Sequence, residues 1–286
     1  MTTSEQGLLI YAPGYHQFMV SWPQAVARVN ASSPDNLDLQ SQRFSFRRGA
    51  PIVITGNSGA GKTEIWSQIT RRPAGPGMSV STDDGYIIRR NKKAHSVTTI
   101  PGQVSKDRDY AMNLMFGEST LLEGVVFVAC NGYDHIWSNS DVVASALDPF
   151  DLQTLRARNK RHELASFDEV CKAITKKRML APAEYQPKWL LVLANKVDLY
   201  WGEVDDARRY YQIGPDSEFG LRAQELLGDL GAISLQYHTL PIAAKAKSYE
   251  FHSSRGSFNA ASQLTNSQCN SSLRCLIDTL GGLWNE

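Results

Sequence analysis

The chain has 286 residues, a formal net charge of +1 and an apolar fraction of 42%, enough for one large α/β domain or for two small ones. The near-neutral charge argues against direct nucleic-acid binding, because no excess of basic side chains is available to displace the counterions of phosphates. The first 18 residues carry no positive segment and only a short apolar run, and no stretch approaches the length of a transmembrane helix. We therefore expect a cytoplasmic protein with no direct membrane insertion.

Short apolar runs alternate with helical patterns along the chain. Strands are expected at 50–56, 85–90, 95–100, 123–130, 188–195 and, more weakly, 237–244. Helices are expected to begin at Glu64 and to cover about 109–122, 151–177, 218–230 and 271–283. This alternation predicts an α/β fold with a mostly parallel sheet that is covered by helices on both faces.

Three regions fall outside this alternation, and we assign them to one domain that spans 1–286. Residues 1–43 precede the first strand and are expected to add an edge element. Residues 135–187 predict a helical insertion of one long or two shorter helices, either solvated or a docking arm for a partner. Residues 248–286 combine a polar surface loop, at 253–272, with a C-terminal helix.

The cysteines form no CxxC pair and no Cys/His metal spacing. Buried or unreactive thiols are therefore expected, because free cysteine packs as a small hydrophobic residue. The four are Cys130, Cys171, Cys269 and Cys275.

The segment GNSGAGKT, residues 56–63, fits the phosphate-binding pattern G-x-x-x-x-G-K-[ST] in full. Its glycines let backbone N–H groups wrap a phosphate, and the following helix adds the positive end of its dipole. Lys62 is expected to reach the β- and γ-phosphates, and the hydroxyl of Thr63 to bind Mg²⁺. The residues expected around the phosphates are Gly56, Ser58, Gly59, Ala60, Gly61, Lys62, Thr63 and Glu64.

The segment NKVD, residues 195–198, follows an expected strand at the edge where open α/β sheets bind ligands. Asp198 can accept hydrogen bonds from N1–H and the exocyclic amine of guanine, whereas adenine presents the wrong donors. Asn195 and the stem of Lys196 would brace the loop and cover the ring. An ABC-type ATPase is disfavoured, since no LSGGQ-like helix start occurs and the run VVFVACNG ends without an acidic residue.

The segments GNSGAGKT, TIPGQ and NKVD, in this order, resemble the Ras-like GTPases of the translation-factor class. The PGQ variant is similar to bacterial and Arf-like members. The resemblance covers roughly 43–134 and 188–247. It implies a three-layer P-loop NTPase sandwich, a Ras-like G domain, that binds GTP/GDP with Mg²⁺ and acts through a regulatory or effector protein.

The resemblance also implies roles for individual residues. Gly102 would contact the γ-phosphate, and Gln103 would orient the attacking water. Lys62, on the phosphates, would also act in hydrolysis. Thr82, or Ser81, would bind Mg²⁺ from the first switch, although a turn or cap explains this segment equally simply. Ala244 and Lys245, in AAK, would contact the guanine carbonyl, but Ala-Lys pairs are common by chance.

One position departs from the family, since Thr99 stands where the family has an aspartate that supports Mg²⁺ through a water. Loss of such a group typically costs about 10- to 100-fold in metal affinity. Thr99 keeps a hydroxyl, and Asp83 or Asp84 either supplies the carboxylate or caps a turn. Two functions remain open: a slow GTPase switch, and a pseudo-GTPase or scaffold with structural GTP. The oligomeric state also remains open, including a nucleotide-dependent dimer.

Overall fold

The computed structural model describes residues 19–32, 51–70, 97–134, 151–231, 235–253 and 256–283. Its main sheet has five strands in the order β2-β1-β3-β4-β5, and every pairing is parallel. The strands are β1 (Ile52–Thr55), β2 (Val97–Thr99), β3 (Gly124–Ala129), β4 (Trp189–Ala194) and β5 (Gln236–Pro241). The expected mostly parallel sheet is therefore confirmed, while the run expected at 85–90 lies outside the described residues.

Seven α-helices accompany the strands in the described part of the chain. They are α1 (Trp22–Asn30), α2 (Lys62–Thr70), α3 (Lys106–Met115), α4 (Leu152–Leu180), α5 (Val204–Tyr211), α6 (Glu218–Leu230) and α7 (Asn266–Leu283). Every residue of β3 and β4 is buried, as expected of parallel strands that are covered on both faces. The chain has the α/β P-loop NTPase fold.

The two faces of the sheet carry separate apolar clusters. On one face Ile65 of α2 and Leu276 of α7 pack with Ile54 of β1. On the other face Phe167 of α4 and Phe219 of α6 pack around Phe127 of β3, with ring centroids 5.1 and 6.1 Å from it. The N-terminal helix α1 packs against α7 and against the edge strand β5. No helix in the described ranges combines the length and apolarity that crossing a membrane requires.

The region expected as a helical insertion contains α4, a single helix of 29 residues. Asp151 caps its start by accepting a 2.7 Å hydrogen bond from the backbone N–H of Thr154. Val170 and Ile174 are fully buried against the sheet. The helix is thus the crossover between the parallel strands β3 and β4, which cannot be joined by a tight turn.

The C-terminal region differs from its expected polar loop. Strands β6 (Tyr249–Ser253) and β7 (Gly256–Ala260) form an antiparallel hairpin. The last helix, α7, begins at Asn266, five residues before the start expected at 271. Gln268 explains this, because its side chain accepts from the backbone N–H of Thr265 at 2.9 Å while the Thr265 hydroxyl accepts from the Gln268 N–H at 3.3 Å. The four cysteines are buried and free, as expected.

Candidate functional site

The glycine-rich segment 56–61 connects β1 to α2 at the carboxyl edge of the sheet. Gly56, Gly59 and Gly61 have φ angles of 132°, 74° and 94°. Ala60 is fully buried, whereas Thr63, in the first turn of α2, is exposed. The strand, loop and helix that the motif requires are therefore in place.

Gly61 marks the contact between this segment and the NKVD loop. A Cβ at Gly61 would lie 2.4 Å from Nδ2 of Asn195. That nitrogen donates a 2.8 Å hydrogen bond to the carbonyl oxygen of Ala60. Two motifs 135 residues apart are thus joined directly, and the bracing role expected of Asn195 has a physical basis.

Lys62 is buried beneath its own loop. Its Nζ donates 2.7 Å hydrogen bonds to the carbonyl oxygens of Gly56 and Asn57. Burial lowers the pKa of Lys62 to about 8, the negative charge of Asp134 opposes that shift, and the positive charge of Arg108 adds to it. A phosphate bound beside Lys62 would therefore strongly change the electrostatic environment of its ammonium.

The PGQ segment lies directly against the glycine-rich loop. A Cβ at Gly102 would lie 2.5 Å from Nζ of Lys62 and 2.3 Å from the backbone nitrogen of Ser58, so only glycine fits there. Gln103, beside it, is exposed. Thr99 is half-buried at the end of β2, in register with Ile54.

The NKVD loop is built around a residue with a left-handed backbone conformation. Lys196 has a φ of 58° and precedes a 3₁₀ turn that carries Asp198. Asp198 is buried, which raises its pKa, and hydrogen bonds to Ser262 and the backbone N–H of Lys247 oppose that shift. The carboxylate that was expected to recognise guanine is thus positioned by groups on two other segments.

The segment that contains AAK lies beside this loop. The backbone N–H of Val197 donates to the carbonyl oxygen of Ile242 at 3.2 Å. Ser272, on α7, holds the neighbouring residue Ala243 by hydrogen bonds to its N–H and to its carbonyl oxygen. Ala244 is buried and Lys245 is exposed. The structure therefore brings the AAK segment to the base end of the site.

Two tyrosines contact Lys196, one through its backbone and one through its ring, and sequence reasoning missed them. Nζ of Lys196 donates a 2.7 Å hydrogen bond to the carbonyl oxygen of Tyr133 and lies 4.5 Å from the ring centroid of Tyr249. The Tyr249 ring also lies 5.2 Å from Nζ of Lys247. The only available signal was the aromatic alternation in YEF, residues 249–251, which is typical of a strand.

A buried acidic group at the end of β3 was also missed. Asp134 lies beyond the quoted run VVFVACNG and is 5% exposed. It accepts a 3.1 Å hydrogen bond from the thiol of Cys130, and burial raises its pKa against the charges of Lys196 and Lys62. This carboxylate thus links the phosphate end and the base end of the site electrostatically.

Glu163 of α4 is buried against the segment that follows β3. Its carboxylate accepts from the backbone N–H of Cys130 at 2.8 Å and from the hydroxyl of Tyr211 at 2.6 Å. Burial, with the charge of Asp134, raises the pKa of Glu163 to about 8. Cys130, Asp134 and Glu163 bring possible metal-ligand atoms within 4.8 Å of one another. Both Glu163 oxygens accept hydrogen bonds, and the charges of Lys196 and Lys62 oppose the rise in the pKa of Asp134.

Two threonines are the described residues that could support a Mg²⁺ ion, and neither brings a charge. Thr63 offers a hydroxyl at the start of α2, and Thr99 offers a second neutral hydroxyl at the end of β2. Mg²⁺ in nucleotide sites is commonly held by few protein ligands together with substrate phosphates. Thr82 and its alternatives lie outside the described residues: they are Ser81, Asp83 and Asp84.

No protein-family model and no curated protein sequence matches the chain. Among solved structures, the chain is similar to the FeoB G-domain of Methanococcus jannaschii, at 17% sequence identity and a TM-score of 0.35. The match covers 70% of this chain and 88% of that domain. A likeness of this degree carries no inference about activity.

Proposed function

We propose that the chain binds GTP and GDP at the carboxyl edge of its parallel sheet and hydrolyses GTP slowly. The observation that carries this proposal is the hydrogen bond from Asn195 to the carbonyl oxygen of Ala60. It joins the glycine-rich loop directly to the NKVD loop. This contact supports a single nucleotide site, although each motif alone is common. Ligands of open α/β sheets bind at this edge.

At the phosphate end, backbone N–H groups of 57–63 and the amino end of α2 would cradle the phosphates. Lys62 supports this role, because its ammonium is buried against the loop carbonyl oxygens, and an anion beside it would oppose the burial that lowers its pKa to about 8. Mg²⁺ would be held by Thr63 together with phosphate oxygens, and when bound it neutralises charge on the phosphates.

At the base end, Asp198 would accept two hydrogen bonds from guanine. Its burial excludes competing water, so these bonds discriminate strongly against adenine. The stem of Lys196 and the ring of Tyr249 border the same loop and would pack against the faces of the base. The backbone near Ala244 would contact the guanine carbonyl.

Slow hydrolysis is expected because the PGQ segment keeps its glycine and glutamine, while the preceding Thr99 replaces a metal-supporting aspartate. Gly102 packs on the phosphate loop and Gln103 is available to orient water, but Thr99 supplies no charge to the metal. Because Gln103 is exposed, a regulatory or effector protein can reach it.

In the alternative function, the chain is a scaffold that holds GTP structurally and does not hydrolyse it. The neutral side chain of Thr99 favours this alternative. Single-turnover hydrolysis with radiolabelled GTP and Mg²⁺ separates the two, because a scaffold retains the intact triphosphate.

Nucleotide titration of Asp198→Asn tests the base assignment. An amide in place of the carboxylate loses one acceptor for guanine and offers a donor to the C2 carbonyl of xanthine. We expect GDP affinity to fall at least about tenfold, or about 1.4 kcal/mol, and xanthosine diphosphate affinity to rise. Asp216→Asn, on an exposed turn, is the matched control. Unchanged preference in Asp198→Asn would contradict guanine recognition by this residue.

A further inference from the structure

The NKVD loop continues into two short 3₁₀ turns. The first turn, Val197–Leu199, ends with the carbonyl groups of Asp198 and Leu199, and the second, Trp201–Glu203, contains the N–H group of Gly202. Helical turns leave backbone groups at their ends without partners inside the turn, so side chains or other segments supply them. A partner for these groups would fix the position of Asp198 from its backbone.

Gln263 contacts all three of these groups, although 64 positions separate it from Leu199. Its backbone N–H donates a 2.6 Å hydrogen bond to the carbonyl oxygen of Asp198. Its side-chain amide donates to the carbonyl oxygen of Leu199 at 3.0 Å and accepts from the N–H of Gly202 at 2.9 Å. An amide can do both, because it carries a donor and an acceptor. One glutamine thus joins the two turns on either side of Tyr200.

The segment that carries Gln263 is anchored on both sides. Ala260, at the end of β7, and Leu264 are buried in the same core cluster. The backbone N–H of Thr265 then donates to the side chain of Gln268 at 2.9 Å, in the cap of α7. The backbone position of Gln263 is therefore set by packing, while its side chain stays exposed.

The other end of the β6–β7 hairpin reaches the Asp198 carboxylate. The backbone N–H of Lys247, two residues before β6, donates to Oδ2 of Asp198 at 3.5 Å. Within the hairpin, the buried ring of Phe251 packs against the ring of Tyr133, with centroids 6.1 Å apart. The segments before and after the hairpin thus contact the side chain and the backbone of the same aspartate.

We propose that Gln263 is a positioning residue for guanine recognition, and that it acts through Asp198 without touching the base. One carboxylate must accept from N1–H and from the 2-amine of guanine together. Because hydrogen bonds weaken steeply as their angles depart from linearity, a small shift of the turn would lose one of the two. This inference rests on the proposed guanine-nucleotide site and names what sets its selectivity for the base.

The test compares the affinities of the full chain for GDP and for inosine diphosphate, which keeps N1–H but lacks the 2-amine. Their ratio reports the bond from the amine to Asp198. Gln263→Ala should lower the preference for GDP by about threefold or more, because the turn loses two of its hydrogen bonds. Gln263→Met keeps the length of the side chain without its amide and should have the same effect. Since the Gln263 side chain is exposed, both variants should fold.

Gln268→Ala is the matched control, because Gln268 caps α7 rather than the NKVD loop. It should lower the free energy of unfolding and retain the GDP preference of the unmodified protein. The proposal is overturned if the Gln263 variants lose affinity for both nucleotides equally, as a purely structural role predicts, or if they lose none. An unmodified protein that binds neither nucleotide, or binds both equally, would contradict the proposed guanine recognition by Asp198 itself.

Discussion

Asn195 and Ala60, 135 positions apart in the sequence, are joined by a 2.8 Å hydrogen bond from the side-chain amide to the backbone carbonyl. Both residues are buried, so the bond is shielded from water. The hydroxyl of Tyr200 in turn donates to the carbonyl oxygen of Asn195 at 2.8 Å. Through these contacts, the NKVD loop positions the glycine-rich loop.

Asn195→Ala should weaken both folding and nucleotide binding. The substitution leaves the buried carbonyl oxygen of Ala60 without this donor, which costs about 1–3 kcal/mol. Urea unfolding measures the stability change, and GDP titration measures the change in affinity. Asn113→Ala, at an exposed position of α3, should leave the free energy of unfolding nearly unchanged. Equal behaviour of the two variants would show that the hydrogen bond contributes nothing to the site.

Gly61→Ala should destabilise the fold, whereas the same substitution at an ordinary helical glycine should not. At a φ of 94° an alanine costs about 1–2 kcal/mol, and its Cβ would also lie 2.4 Å from Nδ2 of Asn195. Gly228→Ala, within α6, meets no atom within 4 Å and should gain about 0.5–1 kcal/mol through helix propensity. Thermal denaturation of both variants provides the comparison, and a stable Gly61→Ala protein would contradict the close contact.

Thr99→Asp should restore support for the metal. A carboxylate at the end of β2 is expected to tighten Mg²⁺ by about 10- to 100-fold in the presence of GDP and to lengthen nucleotide residence. Release of a fluorescent GDP analogue at graded Mg²⁺ concentrations measures both effects. Thr99→Asn matches the size of aspartate without its charge and should change neither. If Thr99→Asp also changes neither, another group already fills this role.

The buried carboxyl group of Glu163 should make the free energy of unfolding fall as the pH rises. With a folded pKa of about 8, this group retains a proton that the unfolded chain has released, so its contribution is full below the unfolded pKa of about 4.5 and disappears as pH rises through 8. The slope is at most about 1.4 kcal/mol per pH unit. Urea unfolding between pH 5 and 8 measures it.

Glu163→Gln keeps a carbonyl acceptor for the Cys130 N–H but cannot titrate, so its stability should vary less with pH over this range. Glu184→Gln, at an exposed position, should retain the slope of the unmodified protein. A Glu163→Gln variant with an unaltered slope would show that this carboxyl titrates normally and that the buried charges are arranged differently.

Local patterns were sufficient for much of the fold and for both loops of the site. The apolar runs that form β1, β3 and β4 are short and are followed by turn residues. These strands could therefore be predicted from the local sequence. The same holds for the glycine-rich loop, whose spacing predicts the strand before it and the helix after it. The hairpin of β6 and β7 was not predicted, because its sequence is polar and turn-rich. It is stabilised by Phe251 and Ala260, which are buried in a core cluster with residues of distant elements.

The sequence by itself determined the chemical groups of the candidate site: a glycine-rich loop with a lysine, the aspartate of NKVD, and a threonine at position 99. Tertiary structure alone decided which charges lie together. No sequence spacing predicts the contact between Arg108 and Glu169, or the one between Glu163 and Cys130. They meet because α4 crosses over the sheet, and burial there changes the free energy of every charge that it covers.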